Sequence, residues 1–259
     1  MVRNLIRDLQ AAVGKRWVLH TPEDLIVYEY DATIERGLPE AVVLPDTAEQ
    51  AAAVVRIARR QGVPVTARGA GTGLSGGAIP CDGGVVIATT RLNRILEIEP
   101  EDRLAVVEPG VINVDISKAV APYGLYYAPD PSSQKACTIG GNVAENAGGP
   151  HCLRYGTTTN HVLGLEVVTA DGDLVWLGGR TPDAPGYDLT GVAVGSEGTL
   201  CIVTKAIVRL LHRPESTVTL LAIFEEVDQA SRAVSAIIGQ GILPAALEMM
   251  DGNTMAAVE

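Results

Sequence analysis

The apolar positions change period several times along the chain. Residues 1–10 alternate apolar and charged side chains in the manner of an amphipathic helix. Residues 46–62 repeat the helical period, with Val54, Val55 and Ala58 on one face. Asp46 or Thr47 suits the N-cap, Glu49 falls in the first turn, and Gly62 suits the stop. Residues 63–67 then read as a short strand, and the apolar run at 84–88 as a buried one. The pattern predicts a small α/β unit in the first third of the chain.

From residue 104 the pattern becomes more antiparallel. Residues 104–110 read as a strand and turn, and residues 113–123 as a short helix ending at Gly124. The runs 163–169 and 174–177 flank Asp171-Gly172, a strong hairpin signal. Residues 198–211 read as a further strand. Pro214 marks a boundary, after which 217–224 reads as a strand, 228–238 as a helix capped by Asp228, and 242–249 as a strand. A last helix starts at Asp251 without a terminating Gly, Asn or Pro. The expected architecture is α+β in two lobes, roughly 1–90 and 91–215. Residues 216–259 would begin a further unit that is incomplete, because one βαβ unit cannot cover both faces of its strands. That segment is expected to be mobile or self-associating.

Glycine carries the candidate chemistry. Residues 68–77 read RGAGTGLSGG, 138–142 read TIGGN, and 146–149 read NAGG. Clustered glycines remove Cβ atoms where backbone must approach a partner, and their N–H groups form concave anion nests. Three such clusters predict a long anionic cofactor in one groove; a set of ordinary tight turns is the alternative. The turn reading leaves Thr72, Ser75, Thr138, Asn142 and Asn146 unexplained. A P-loop fails for want of the G-K-[ST] ending. GxGxxG occurs at 71–76, but the loop runs into Pro80 instead of opening a long helix. Val194 stands where a G-x-S-x-G elbow requires glycine, which removes the hydrolase reading.

Composition narrows the classes further. A net charge of −11 and 4% aromatics disfavour nucleic-acid binding and base stacking. No apolar run is long enough for a membrane-spanning helix, and the first residues lack a secretory h-region, so a cytoplasmic location is expected. The cysteines, Cys81, Cys137, Cys152 and Cys201, form no C-x-x-C pair and read as free thiols; no metal site is expected. His151 and His161 are hydrogen-bonding spacers or titrating groups. Arg68 is a phosphate partner or a packed surface arginine. Glu225 and Glu226 read as a solvated face.

Taken in order, residues 64–77, 129–133, 138–149, 154–156 and 195–204 resemble the PCMH-type (vanillyl-alcohol-oxidase-like) FAD-binding domain, over roughly 41–211. Within it, the glycolate oxidase flavoprotein subunit and D-2-hydroxyacid or D-lactate dehydrogenase branch is most similar, and 247–251 (LEMMD) resembles the start of that branch's cap. The resemblance implies a domain over 1–215, an incomplete cap over 216–259, and FAD as cofactor. It implies that Arg68, Gly69, Ala70, Gly71, Thr72, Gly73, Leu74 and Ser75 cradle the diphosphate. Pro129, Asp130, Pro131 and Ser132 would border the flavin. Thr138, Gly140, Gly141 and Asn142 would approach the diphosphate and ring system. Asn146, Ala147, Gly148 and Gly149 would lie along the cofactor, with Tyr155 and Gly156 completing this segment. Glu197, Gly198, Ile202 and Val203 would shape the adenine end. No histidine occurs in 68–80, so the FAD is expected to be non-covalent. The implied reaction is oxidation of a small 2-hydroxy acid by hydride transfer to flavin N5. Electrons would pass to a separate acceptor: an iron–sulfur protein, an electron-transfer protein or a quinone. The base and carboxylate clamp are expected in the cap beyond Glu259, leaving the catalytic residues unassigned. A subunit that needs a second, complementing chain is the alternative, with a homo-oligomer also open.

Overall fold

A computed structural model describes residues 2–181 and 185–258. The elements run α1 (Val2–Val13), β1 (Val18–Leu19), α2 (Pro22–Leu25), β2 (Ala41–Val43), α3 (Ala48–Gln61), β3 (Val65–Arg68) and β4 (Val85–Ala88). They continue with β5 (Ile95–Glu99), β6 (Leu104–Val107), α4 (Asn113–Val120), β7 (Leu125–Tyr126), α5 (Ile139–Glu145), α6 (Cys152–Tyr155) and β8 (Val162–Val168). The chain then forms β9 (Leu174–Gly178), α7 (Leu189–Ala193), β10 (Ile202–Arg209), β11 (Leu211–His212), α8 (Val227–Gly239) and α9 (Gly252–Val258).

The first lobe is a four-stranded sheet in the order β1-β2-β4-β3. β2, β4 and β3 are parallel, and β1 adds antiparallel to β2. Every residue of β2 and β4 is buried. Parallel strands covered on both faces need apolar side chains at every position, which explains their unbroken runs. Ala41, Val43, Val85 and Ile87 pack with α1 and α3, whereas Val42, Val86 and Ala88 face Leu25 on the opposite side. Helix α1 docks through Leu5, Leu9 and Val13, spaced four residues apart on one face.

Helix α3 has the expected boundaries. Of the two candidate caps, Thr47 holds the position: its Oγ1 accepts from the Gln50 N–H at 3.2 Å. Gly62 closes the helix in the left-handed region at φ 65°, where a Cβ is disfavoured. The core around α3 also takes in Val168 and Ile202 of the second lobe. This helix is therefore packed into both lobes.

The second lobe is a five-stranded antiparallel sheet, β5-β6-β10-β8-β9. Its main core joins one face of that sheet to α4, α5 and α7 through residues such as Ile116, Ile139, Leu165 and Val208. A register shift at Thr204 bulges β10 just after Ile202 and Val203. The Asp171-Gly172 hairpin forms as expected between β8 and β9, with Gly172 at φ 83°. The helix from 113 is α4 to Val120 and a 3-10 turn to Tyr123, closed by Gly124 at φ 69°. The expected strand at 198–211 starts later, at Ile202, because 198–201 is occupied by turn structure; β11 is separate and pairs with β7.

Three expectations fail beyond Pro214. Residues 217–224 and 242–249 are irregular, not strands. The β-branched content of 217–224 favours extension, but among the described residues no strand pairs with either segment, and Val218, Leu220, Leu221 and Ile223 are all exposed. Asp228 does not cap α8. Glu226 holds that position without a side-chain bond, and Asp228 pairs with Arg232 one turn on.

Candidate functional site

The parallel strands β3 and β4 end side by side, and the loop leaving β3 forms one wall of a groove of about 340 Å³. Ligand sites commonly lie outside the carboxyl ends of such strands, and this volume is in the ordinary range for small-molecule sites. The opposite wall is the start of α5. Pro109 and the segment from Ala193 to Val203 contribute further sides.

The structure brings most of the expected residues together. The whole first cluster, from Arg68 to Ser75, lines the groove. So do Pro131 and Ser132, then Thr138, Gly140, Gly141 and Asn142, and Ala147. Glu197, Gly198, Ile202 and Val203 close the set. The bulge at Thr204 explains how β10 can turn Ile202 and Val203 to the groove while its remainder stays in the ladder.

Other expected residues stand behind this lining. The Pro129 carbonyl accepts from Asn113 Nδ2 at 3.1 Å. Asp130 Oδ2 lies 2.6 Å from His151 Nδ1, and Asp130 Oδ1 accepts from the His151 backbone N–H. Gly149 is pressed against the Asp130 carbonyl, leaving no room for a Cβ. Asn146 ends α5 at φ 48° and accepts from the Thr159 N–H. Gly148 packs on Cys152. Tyr155 meets Tyr126 edge-on at 6.3 Å, and Gly156 ends α6 at φ 82°. These seven residues do not line the groove.

Arg68 is buried beneath the glycine loop. Its guanidinium lies under Gly71, stacks over Tyr28 at 5.6 Å and donates to the Ala78 carbonyl. Burial lowers its pKa, while Tyr28, Asp31 and Tyr30 oppose that shift. The arginine thus supports the loop from below. His161 is also interior. Its Nε2 donates to the Tyr155 carbonyl at 2.9 Å, and its buried Nδ1 has no partner among the described residues. Desolvation lowers its pKa from the ordinary value, against the opposing effect of the Tyr155 carbonyl.

Several groove residues escape the motif-based reading. Ser75 Oγ donates to Glu145 Oε2 at 2.5 Å, tying the glycine loop to the end of α5. Cys137 and Cys201 both line the groove. Asn113 lies behind it and fixes three of its segments. The glycine spacing gives no hint of Glu145 or Asn113, since each meets its partner only through the fold.

The groove suits a long anionic dinucleotide on three observations. Thr138 Oγ1 is buried and has no hydrogen-bond partner among the described residues. The Gly141 N–H makes no backbone hydrogen bond among the described residues and stands across from Gly69. A Cβ on Gly141 would meet only Thr138 Oγ1, at 3.5 Å, so the space in front of this backbone is open. An unpaired backbone N–H beside an open, side-chain-free space is what an anion requires, and Thr138 Oγ1, packed against Gly69, lies next to it. Glu145 and Glu197 approach the same groove near Gly77, where hydroxyl donors would suit them better than phosphates. Glu197 holds φ 53°, a strained value for a residue with a side chain. Among the described residues no cluster of three or more metal-ligating side chains occurs, and no helix is long and apolar enough to cross a membrane.

Comparison with known proteins agrees with this chemistry. Residues 39–178 match the family model described as FAD binding domain. Residues 213–259 match that of the C-terminal domain of FAD linked oxidases. The chain is 51% identical over 243 residues to the glycolate oxidase subunit GlcD of Escherichia coli (strain K12), covering 93% of this chain and 49% of the relative. It is 48% identical over 236 residues to the same subunit of Bacillus subtilis (strain 168), covering 90% and 50%. It is 38% identical over 230 residues to a D-lactate dehydrogenase of Archaeoglobus fulgidus, covering 86% and 51%. The chain therefore spans about half the length of the curated relatives it matches. Alkyldihydroxyacetonephosphate synthase has the same fold, with a TM-score of 0.80 at 22% identity over 94% of this chain and 50% of that one.

Proposed function

We propose that this chain, which belongs to the FAD binding domain family, is the cofactor-carrying part of an FAD-linked oxidoreductase that oxidises a small 2-hydroxy acid such as glycolate or D-lactate. One observation carries the reading. The glycine loop after β3 and the start of α5 converge on a single groove, in a chain about half identical to glycolate oxidase subunits. We assign 1–215 to the FAD-binding domain and 216–259 to the beginning of a cap. The cofactor is held without a covalent bond, because 68–80 contains no histidine.

When bound, FAD supplies the acceptor for the hydride that leaves the α-carbon of the hydroxy acid. The residues of this chain bind and orient. The backbone of 69–75 and the N–H of Gly141 meet the diphosphate. Thr138 Oγ1 gains in the cofactor the partner it lacks in the protein. Glu197 accepts from ribose hydroxyls. Pro131 and Ser132 border the ring. The hydroxyl proton goes to a base on the cap, and the electrons go on to an iron–sulfur protein, an electron-transfer protein or a quinone. The free cysteines support a reducing compartment such as the cytoplasm.

A second reading is favoured by the segment after Pro214. Residues 217–224 and 242–249 are strand-like in sequence yet unpaired. This fits a flavin-carrying subunit whose substrate site is completed by another chain. The visible spectrum of the purified protein tests the first step, and a colourless protein that takes up no FAD refutes both readings. Turnover of glycolate or D-lactate with a dye acceptor supports an enzyme complete in itself. Bound FAD without turnover supports the completed-by-partner reading.

A further inference from the structure

Asn113 lies outside every glycine motif and does not line the groove, yet it touches three segments that build it. It is 2% exposed, at the first position of α4. Its backbone N–H donates to the Cys137 carbonyl at 3.0 Å. Its side-chain amide donates to the Pro129 carbonyl at 3.1 Å and to Asn142 Oδ1 at 3.0 Å. A backbone carbonyl can only accept, so the end of Asn113 facing Pro129 is the NH₂ group, and both its hydrogens are used. That fixes Asn142 as well. Its Oδ1 faces Asn113, and its Nδ2 donates to Cys137 Sγ at 3.3 Å. Cys137 and Asn142 line the groove, and Pro129 begins the turn that carries Pro131 and Ser132 into it.

We propose that Asn113 is a positioning residue for the flavin cofactor: one buried amide clamps the 129–132 turn to the start of α5 and sets the spacing of the two segments that border the ring. The inference rests on the FAD reading above. One buried amide that donates to two acceptors holds them in one geometry, whereas its loss leaves the Pro129 carbonyl and Asn142 Oδ1 without this donor. Leucine at 113 keeps the approximate shape and removes both donors. Aspartate at 113 presents oxygens to two acceptors when ionised, and restores one donor when protonated.

The test uses the full chain and three proteins: wild type, Asn113→Leu and Asn113→Asp. FAD titration, the visible flavin spectrum and thermal unfolding without FAD are read for each. Asn113→Leu is expected to bind FAD about tenfold more weakly and to shift the visible flavin band. Asn113→Asp is expected to bind FAD with a pH dependence that the wild type lacks. The neutral carboxyl donates at low pH, and affinity falls as pH rises and the group ionises. Wild-type affinity and spectrum in both variants at all pH values overturns the proposal. So does a loss of affinity in strict proportion to a loss of FAD-free stability with an unshifted spectrum, because Asn113 is then a fold residue only. Should Asn113→Leu fail to fold, the spectrum and pH profile of Asn113→Asp decide. A wild type that takes up no FAD refutes the FAD reading itself, a result distinguishable from either outcome above.

Discussion

Replacing Gly141 with alanine separates cofactor binding from folding, because the two effects have opposite signs. Gly141 is inside α5, where alanine is favoured over glycine by about 0.8–1 kcal/mol. Its added Cβ would meet only Thr138 Oγ1, at an ordinary contact distance of 3.5 Å. The FAD-free variant should therefore gain roughly 1 kcal/mol, or about 2–4 °C in Tm for a chain of this size. The methyl group would stand in the space assigned to the cofactor. Overfilling a fitted contact costs about 1–3 kcal/mol, so FAD should bind roughly 5- to 150-fold more weakly. The neighbouring Gly140 is the control. A Cβ there would lie 2.6 Å from Pro109 Cβ and 3.0 Å from the Pro109 carbonyl oxygen, so Gly140→Ala should lower the Tm of the FAD-free protein. Scanning fluorimetry and FAD titration by flavin fluorescence read both quantities. Unchanged FAD affinity in a stabilised Gly141→Ala protein would refute the placement of the cofactor against α5.

Thr138→Val removes the unpartnered buried hydroxyl at constant shape. FAD-free stability should hold or rise slightly, while FAD affinity falls about three- to tenfold, as expected for one lost hydrogen bond; titration and fluorimetry on the same samples check both. Ser75→Ala or Glu145→Gln weakens the bond between the glycine loop and α5, and FAD should dissociate faster in a stopped-flow exchange experiment. His161 contributes pH-dependent stability. Its pKa is lowered in the folded state by burial, so below its ordinary value near 6.5 the unfolded chain binds more protons than the folded one. Its stabilisation is complete above about pH 6.5 and is lost as pH falls toward the depressed folded value. Tm measured against pH should show this slope in the wild type, and a shallower one in His161→Gln.

What the chain disclosed before folding was its local chemistry. Helix α3 carries its own start at Thr47 and its own stop at Gly62, so its limits follow from neighbouring residues alone. The loop 68–77 is equally self-contained, since glycine content dictates backbone approach wherever the loop is placed. Contacts across long separations were not legible. Glu145 meets Ser75 from 70 positions away, and Asn113 meets Asn142 from 29. Arg68 reads from sequence as a phosphate partner or a surface arginine, and the fold places it beneath the loop. The segments 217–224 and 242–249 have strand-like side chains, but a strand exists only where another supplies its ladder.

The same division explains how the groove is made. The two sheets are separate hydrogen-bonded units and meet through α3, whose apolar face packs against β2 and β4 and also against Val168 and Ile202. The free edges of that junction are the loop leaving β3, the start of α5 and the beginning of β10. All three carry glycine or a bulge at the point of closest approach. A groove walled by backbone recognises a ligand through N–H groups, with little need for cationic side chains. That is how a chain of net charge −11 can hold a diphosphate. Selectivity then rests on the few side chains that fix the spacing of the walls. Ser75 with Glu145 does so on one side, and Asn113 with Asn142 on the other. Substitutions in these pairs should change how tightly the cofactor is held more than whether the chain folds.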